Sequence, residues 1–127
     1  MAAKEPRQVI EEFTRLFSSG DVQALVNECY EENAMFMPEP GQPTISGKAA
    51  LRGALQAFVD TKGNLKILAS TAHENGDIAL THTHWRLDIP GAEAMEGQTA
   101  EVVRRQADGT WKYVIDNPWG SAVLGGA

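Results

Sequence analysis

Leu51-Arg-Gly-Ala-Leu-Gln-Ala-Phe-Val-Asp-Thr-Lys-Gly-Asn-Leu-Lys-Ile-Leu-Ala-Ser-Thr-Ala-His73 contains the change of period that decides the fold. Before Gly63, Leu51, Leu55, Phe58 and Val59 stand at i, i+4, i+7 and i+8, one face of a helix. Gly53 weakens that helix a little. Gly63-Asn64 ends it, and the period becomes two over residues 65 to 73, a candidate strand. Downstream the alternation persists. Asn75-Gly76-Asp77 reads as a hairpin turn. Ile78 to Ile89 form a long strand stopped by Pro90-Gly91, and Gln98 to Gln106 form another. After the turn Ala107-Asp108-Gly109, Trp111 to Asp116 form the last strand. Pro118 and Gly120 close it, and the tail Ala122 to Ala127 reads as loose.

Upstream of Leu51 the pattern is helical. Ser46 is placed to cap the helix of Leu51. Ala34-Met-Phe-Met37 is a short apolar strand halted by Pro38-Glu-Pro-Gly41. Val22, Leu25, Val26, Cys29 and Tyr30 make the stripe of a helix with Asp21 as N-cap. Val9, Ile10, Phe13, Leu16 and Phe17 make another, with Pro6 in its first turn and Gly20 at its C-terminal cap. Three helices followed by four antiparallel strands predict an α+β domain with the helices on one face of the sheet. One domain spans residues 1–127, with its core about residues 6–120.

Composition narrows the function classes. Apolar residues make up 43% and charged residues 22%, near globular averages. The net charge of −6 is the wrong sign for a nucleic-acid binder or an anionic membrane surface. Cys29 is the single cysteine, so no internal disulfide forms. No apolar run approaches membrane-spanning length. The first eight residues carry no apolar h-region, and a cytoplasmic location is expected. No GxGxxG fingerprint is present, and no cofactor is expected.

Three stretches resemble the SnoaL-like and ketosteroid-isomerase-like superfamily, named more broadly after nuclear transport factor 2. They are Phe17-Ser-Ser-Gly-Asp-Val22; Glu32-Asn-Ala-Met-Phe-Met-Pro38 with Ile45-Ser-Gly-Lys-Ala-Ala-Leu-Arg52; and Val102-Val-Arg-Arg-Gln-Ala-Asp-Gly-Thr-Trp-Lys-Tyr113. Together they cover roughly residues 8 to 120. The ending Ile115-Asp-Asn-Pro-Trp-Gly120 is similar to the bacterial SgcJ/EcaC-type subgroup. The resemblance implies a cone-shaped fold around one pocket for a small, largely apolar molecule, and pairing as a homodimer through the outer sheet face.

Within that resemblance the ketosteroid isomerase groups fall on unequal ground. The carboxylate base falls on Pro38, which moves no proton, and Glu39 is its neighbour. The phenol falls on Phe13. The protonated acid falls on Glu101. A Glu101 that faces the pocket brings Thr99 and Val103 with it. A carboxyl in an apolar cavity has a raised pKa and serves as an acid or a hydrogen-bond donor. On the other face of the strand it is an ordinary solvated glutamate.

His82 and His84 share one strand face and are the candidate helpers of Glu101. His-x-His also suits a metal, and Gly76 with five residues between it and His82, with Asp88 beyond, resembles a cupin motif. No histidine follows His84 to supply a later ligand, and no metal site is expected. Phe13, Phe36, Trp85 and Tyr113 supply apolar surface for a ligand or for the core. Asn117 can hydrogen-bond a ligand at the pocket mouth or simply end the strand. Two readings stand: a cofactor-independent isomerase, cyclase or dehydratase, and a non-catalytic ligand-binding or dimerisation module.

Overall fold

The computed structural model describes residues 2–125. Helix α1 (Gln8–Ser19) ends at Gly20, which takes a left-handed φ of 78° and donates to Phe17 O. Side chains avoid that conformation, which is why glycine closes the helix. Helix α2 (Val22–Cys29) begins under Asp21, whose carboxylate accepts from the Ala24 amide at 3.0 Å. Tyr30 is not the last residue of the α2 stripe but the first of strand β1 (Tyr30–Phe36). A two-residue strand β2 (Ile45–Ser46) precedes α3 (Lys48–Val59). The cap of α3 is Gly47 at φ 91°, not Ser46, because Ser46 is held in the β2 ladder opposite Met35.

Strands β3 (Asn64–Asn75) and β4 (Ile78–Asp88) form the long hairpin around Gly76. The expected strand over residues 98–106 is two strands lying end to end along β4. These are β5 (Met95–Gln98) and β6 (Ala100–Arg105), with Thr99 as the joint. Strand β7 (Trp111–Asn117) pairs with β6. A 3-10 turn at Gly120–Leu124 replaces the start of the expected loose tail; residues 126 and 127 lie outside the described residues.

The sheet is larger than a four-stranded meander and is mixed. Its order is β2-β1-β7-β6-β4-β3, with β5 on β4. The correction comes from β1, which runs parallel beside β7 and carries β2 with it. A parallel partner needs a long connection, and here it runs through α3 and the whole meander. Extra residues at Leu68 in β3 and Val114 in β7 break the register. Such bulges bend a strand and sharpen its twist, so the sheet curves around the helices. Leu16, Leu25, Val26, Leu51, Leu55, Phe36 and Val103 are buried in the core between the two layers.

Candidate active site

The inner face of the sheet is set by alternation. On β4 it carries Thr81, Thr83, Trp85 and Leu87, all buried. On β6 it carries Glu101 and Val103. On β7 it begins with Trp111 and Tyr113, and strict alternation would continue with Ile115. The bulge at Val114 changes the phase. Val103 pairs with Tyr113, Val102 with Ile115, and Glu101 with Asp116. Asp116 therefore turns inward beside Glu101, and the two are 4% and 3% exposed.

Each carboxyl is held by neighbours. Glu101 Oε1 accepts from Thr99 Oγ1 at 2.9 Å and from Thr81 Oγ1 at 3.1 Å. Asp116 Oδ2 accepts a short hydrogen bond from the Tyr30 hydroxyl. The two carboxyls face each other as cross-strand partners. Burial pushes the Glu101 carboxyl well above its ordinary range, and the charge of Asp116 pushes it further. Burial pushes Asp116 up to about 6, opposed by the bonds from Tyr30 and Glu101. Among the described residues no Lys, Arg or His lines the cavity. With no cation in that wall, two adjacent carboxyls favour keeping one proton between them. Glu101 is the better holder of that proton, and Asp116 is the better acceptor.

The pair stands in the wall of a cavity of about 70 Å³. Ile10, Phe13 and Phe17 of α1, Leu55 and Phe58 of α3, Phe36 of β1, and Leu65 and Ile67 of β3 line it. Trp85 and Trp119 close the wall, edge to face with ring centres 5.4 Å apart. The Trp85 indole donates to Pro118 O at 2.8 Å and the Trp119 indole to Pro38 O at 3.0 Å. Gly97 lets Trp85 sit there, since a Cβ at Gly97 would lie 2.9 Å from the Trp85 ring.

The sequence-based candidates separate. Glu101, Phe13, Phe36, Trp85 and Tyr113 all line the cavity. His82 and His84 share a face, but it is the outer one. Trp85 is inward, so its even-numbered neighbours point away. His84 Nε2 lies 2.7 Å from Glu96 Oε2 on that outer surface, and His82 is exposed. The expectation that the histidines assist Glu101 is therefore corrected. Asn117 is buried but turned to its own loop, donating to Gly120 O at 3.0 Å and accepting from the Trp119 amide at 3.1 Å. Glu39 is exposed in the loop after β1 and is absent from the cavity wall. Asp116 and Tyr30 were not anticipated. Cys29 is buried, and burial pushes its thiol far up, so it is no nucleophile. Among the described residues no cluster of three or more His, Cys, Asp or Glu side chains could hold a metal. No described helix is long and apolar enough to cross a membrane.

The family model for the SnoaL-like domain matches residues 10–114, most of the chain and most of the elements that build this cavity. The chain belongs to the SnoaL-like domain family. Solved structures with the same fold include a function-unknown protein from Mycobacterium tuberculosis. It is 18% identical with a TM-score of 0.73, and the match covers 87% of this chain and 66% of that one. A nuclear transport factor 2-like protein of unknown function from Pseudomonas putida is 22% identical with a TM-score of 0.70, covering 87% and 80%. Another, from Novosphingobium aromaticivorans and described as having a cystatin-like fold, is 21% identical with a TM-score of 0.64, covering 87% and 75%. No curated protein matches the chain. At these identities the likeness concerns the fold of this SnoaL-like domain, and its chemistry rests on its own side chains.

Proposed function

We propose that this SnoaL-like domain binds a small, largely apolar carbonyl compound against Glu101 and Asp116 and moves a proton on it without a cofactor. The observation that carries the reading is the pairing of the two carboxyls in the wall of an apolar cavity. In this scheme the Asp116 carboxylate takes a proton from the carbon next to the carbonyl. The Glu101 carboxylic acid donates a hydrogen bond to the carbonyl oxygen as charge gathers there. Returning the proton to another carbon completes an isomerisation. Giving the Glu101 proton to a β-hydroxyl, which leaves as water, completes a dehydration. An enolate that attacks a second carbonyl within the same molecule completes a cyclisation.

A cavity of about 70 Å³ favours a substrate of few atoms, since pockets for drug-sized ligands run to about 300–1,000 Å³. The same small volume supports a second reading, in which the domain binds without reacting and the aromatic wall is chiefly core. Deuterium incorporation separates the two. Small ketones and β-hydroxy ketones are incubated with the protein in heavy water and followed by proton NMR. Catalysis predicts exchange at the α-carbon, reduced about 100- to 10,000-fold in Glu101→Gln and in Asp116→Asn. Exchange no faster than in buffer, across the panel, would leave only the binding reading.

Pairing of two copies through the outer sheet face belongs to the same proposal. Leu68, Ile78 and Leu80 are 52%, 40% and 44% exposed, and the two from β4 lie on that face. Light scattering that returns the 13.8 kDa monomer across micromolar concentrations argues against it.

A further inference from the structure

We infer that Glu101 is joined to solvent by a hydroxyl-lined water path separate from the ligand cavity, and that this path renews the shared proton while the cavity is occupied. The inference rests on the acid–base reading of Glu101 and Asp116.

Three openings share walls. Ile10, Glu101 and Tyr113 border both the ligand cavity and a second cavity of about 10 Å³. Arg7, Ser70, Thr71, Thr81 and Thr83 complete the polar wall of that second cavity, between the start of α1 and strands β3 and β4. Arg7, Ile10 and Ser70 then border both the second cavity and a surface groove between α1 and β3. The sequence of walls runs from bulk solvent, past Ser70, to the carboxyl.

The second cavity is the size of about one water molecule, and a buried water needs two to four polar partners. The Ser70, Thr81 and Thr83 hydroxyls and the Glu101 carboxyl supply them. Thr83 is only 2% exposed and borders this cavity, while its amide donates to the Thr99 hydroxyl. A water in this cavity would have the Thr83 hydroxyl among its partners. Thr81 already donates to Glu101. In the relay each hydroxyl or water gives up one proton and receives another. One proton passes between solvent and Glu101, and the path itself is unchanged. Ile10 lines both the ligand cavity and this route.

Two measurements test the path without any turnover. A crystal structure is expected to show an ordered water within hydrogen-bond distance of Thr83 Oγ1 and of Thr81 or Glu101. No water there overturns the inference. The infrared band of the protonated carboxyl, followed after transfer to heavy water, is expected to shift about tenfold more slowly in Thr83→Val, the order set by one lost hydrogen bond. Thr83→Ser restores the rate. Should Thr83→Val not fold, Ser70→Val blocks the same route from the groove side. A band that exchanges at the wild-type rate in the folded variant removes the path alone. A wild-type spectrum with no protonated-carboxyl band removes the acid–base reading, and the path with it.

Discussion

Asp116 sits opposite Glu101 because Val114 stands as an extra residue in β7. Without that residue's phase change, the inner position would fall to Ile115 and Glu101 would be a lone buried acid. The pairing makes the site's charge a property of two residues, and the first prediction follows from it.

Stability is expected to fall as pH rises. Both carboxyls have folded-state pKa values above their ordinary ones, so the folded state holds more protons than the unfolded chain and the slope is negative. The contribution from Asp116 is complete below its ordinary value of 3.8 and is lost as pH passes about 6. That from Glu101 is lost at higher pH. Thermal unfolding from pH 4 to pH 8 in wild type, Asp116→Asn and Glu101→Gln checks this, and each variant should flatten part of the slope. A wild-type Tm that rises across this window contradicts the assignment.

Tyr30→Phe removes the hydroxyl that Asp116 accepts from. That bond lowers the Asp116 pKa, so its loss should move the Asp116 titration upward. The cost in stability should be about 1–3 kcal/mol, the range for a buried acceptor deprived of its donor. Carboxyl carbon NMR titration and urea unfolding read the two effects.

Gly97→Ala tests how the cavity wall is held. The new Cβ would lie 2.9 Å from both the Trp85 ring and Pro118 O, the two partners of one hydrogen bond. A forced shift of this kind costs about 1–3 kcal/mol. Tryptophan fluorescence should change together with Tm. An unchanged spectrum would mean that Trp85 is not confined by Gly97.

His84→Ala and His82→Ala should leave proton exchange on a ligand unchanged, since both side chains are on the outer face. The His84–Glu96 pair is partly solvent-exposed, and such pairs are worth less than about 1 kcal/mol. A tenfold loss of activity in either variant would return the histidines to the site.

Local signals in the sequence carry the helices and the meander. Gly20 needs its left-handed turn, Asp21 its cap bond, and Gly76 its hairpin, and each is decided by near neighbours. Parallel pairing of β1 with β7 leaves no such mark, because the two strands lie far apart in the chain and meet only through the core. Alternation from Trp111 brings Tyr113 inward and then points to Ile115. Only the Val114 bulge, invisible to periodicity, brings in Asp116. Tyr30 reads equally as the end of a helical stripe and as a buried strand residue. One signal was available: Trp85 and His84 are adjacent on a strand and cannot share a face, so the cavity could have one of them and not both.

Thr99, the joint between β5 and β6, ties the acid to the sheet's own backbone. Its hydroxyl donates to Glu101 at 2.9 Å and accepts from the Thr83 amide at 2.8 Å. When Glu101 loses its proton, the pull on the Thr99 hydroxyl strengthens and the Thr83 N–H is polarised in turn. The Thr83 amide resonance is thus a built-in gauge of the charge on a side chain one hydroxyl away, readable with no substrate and no label at the carboxyl.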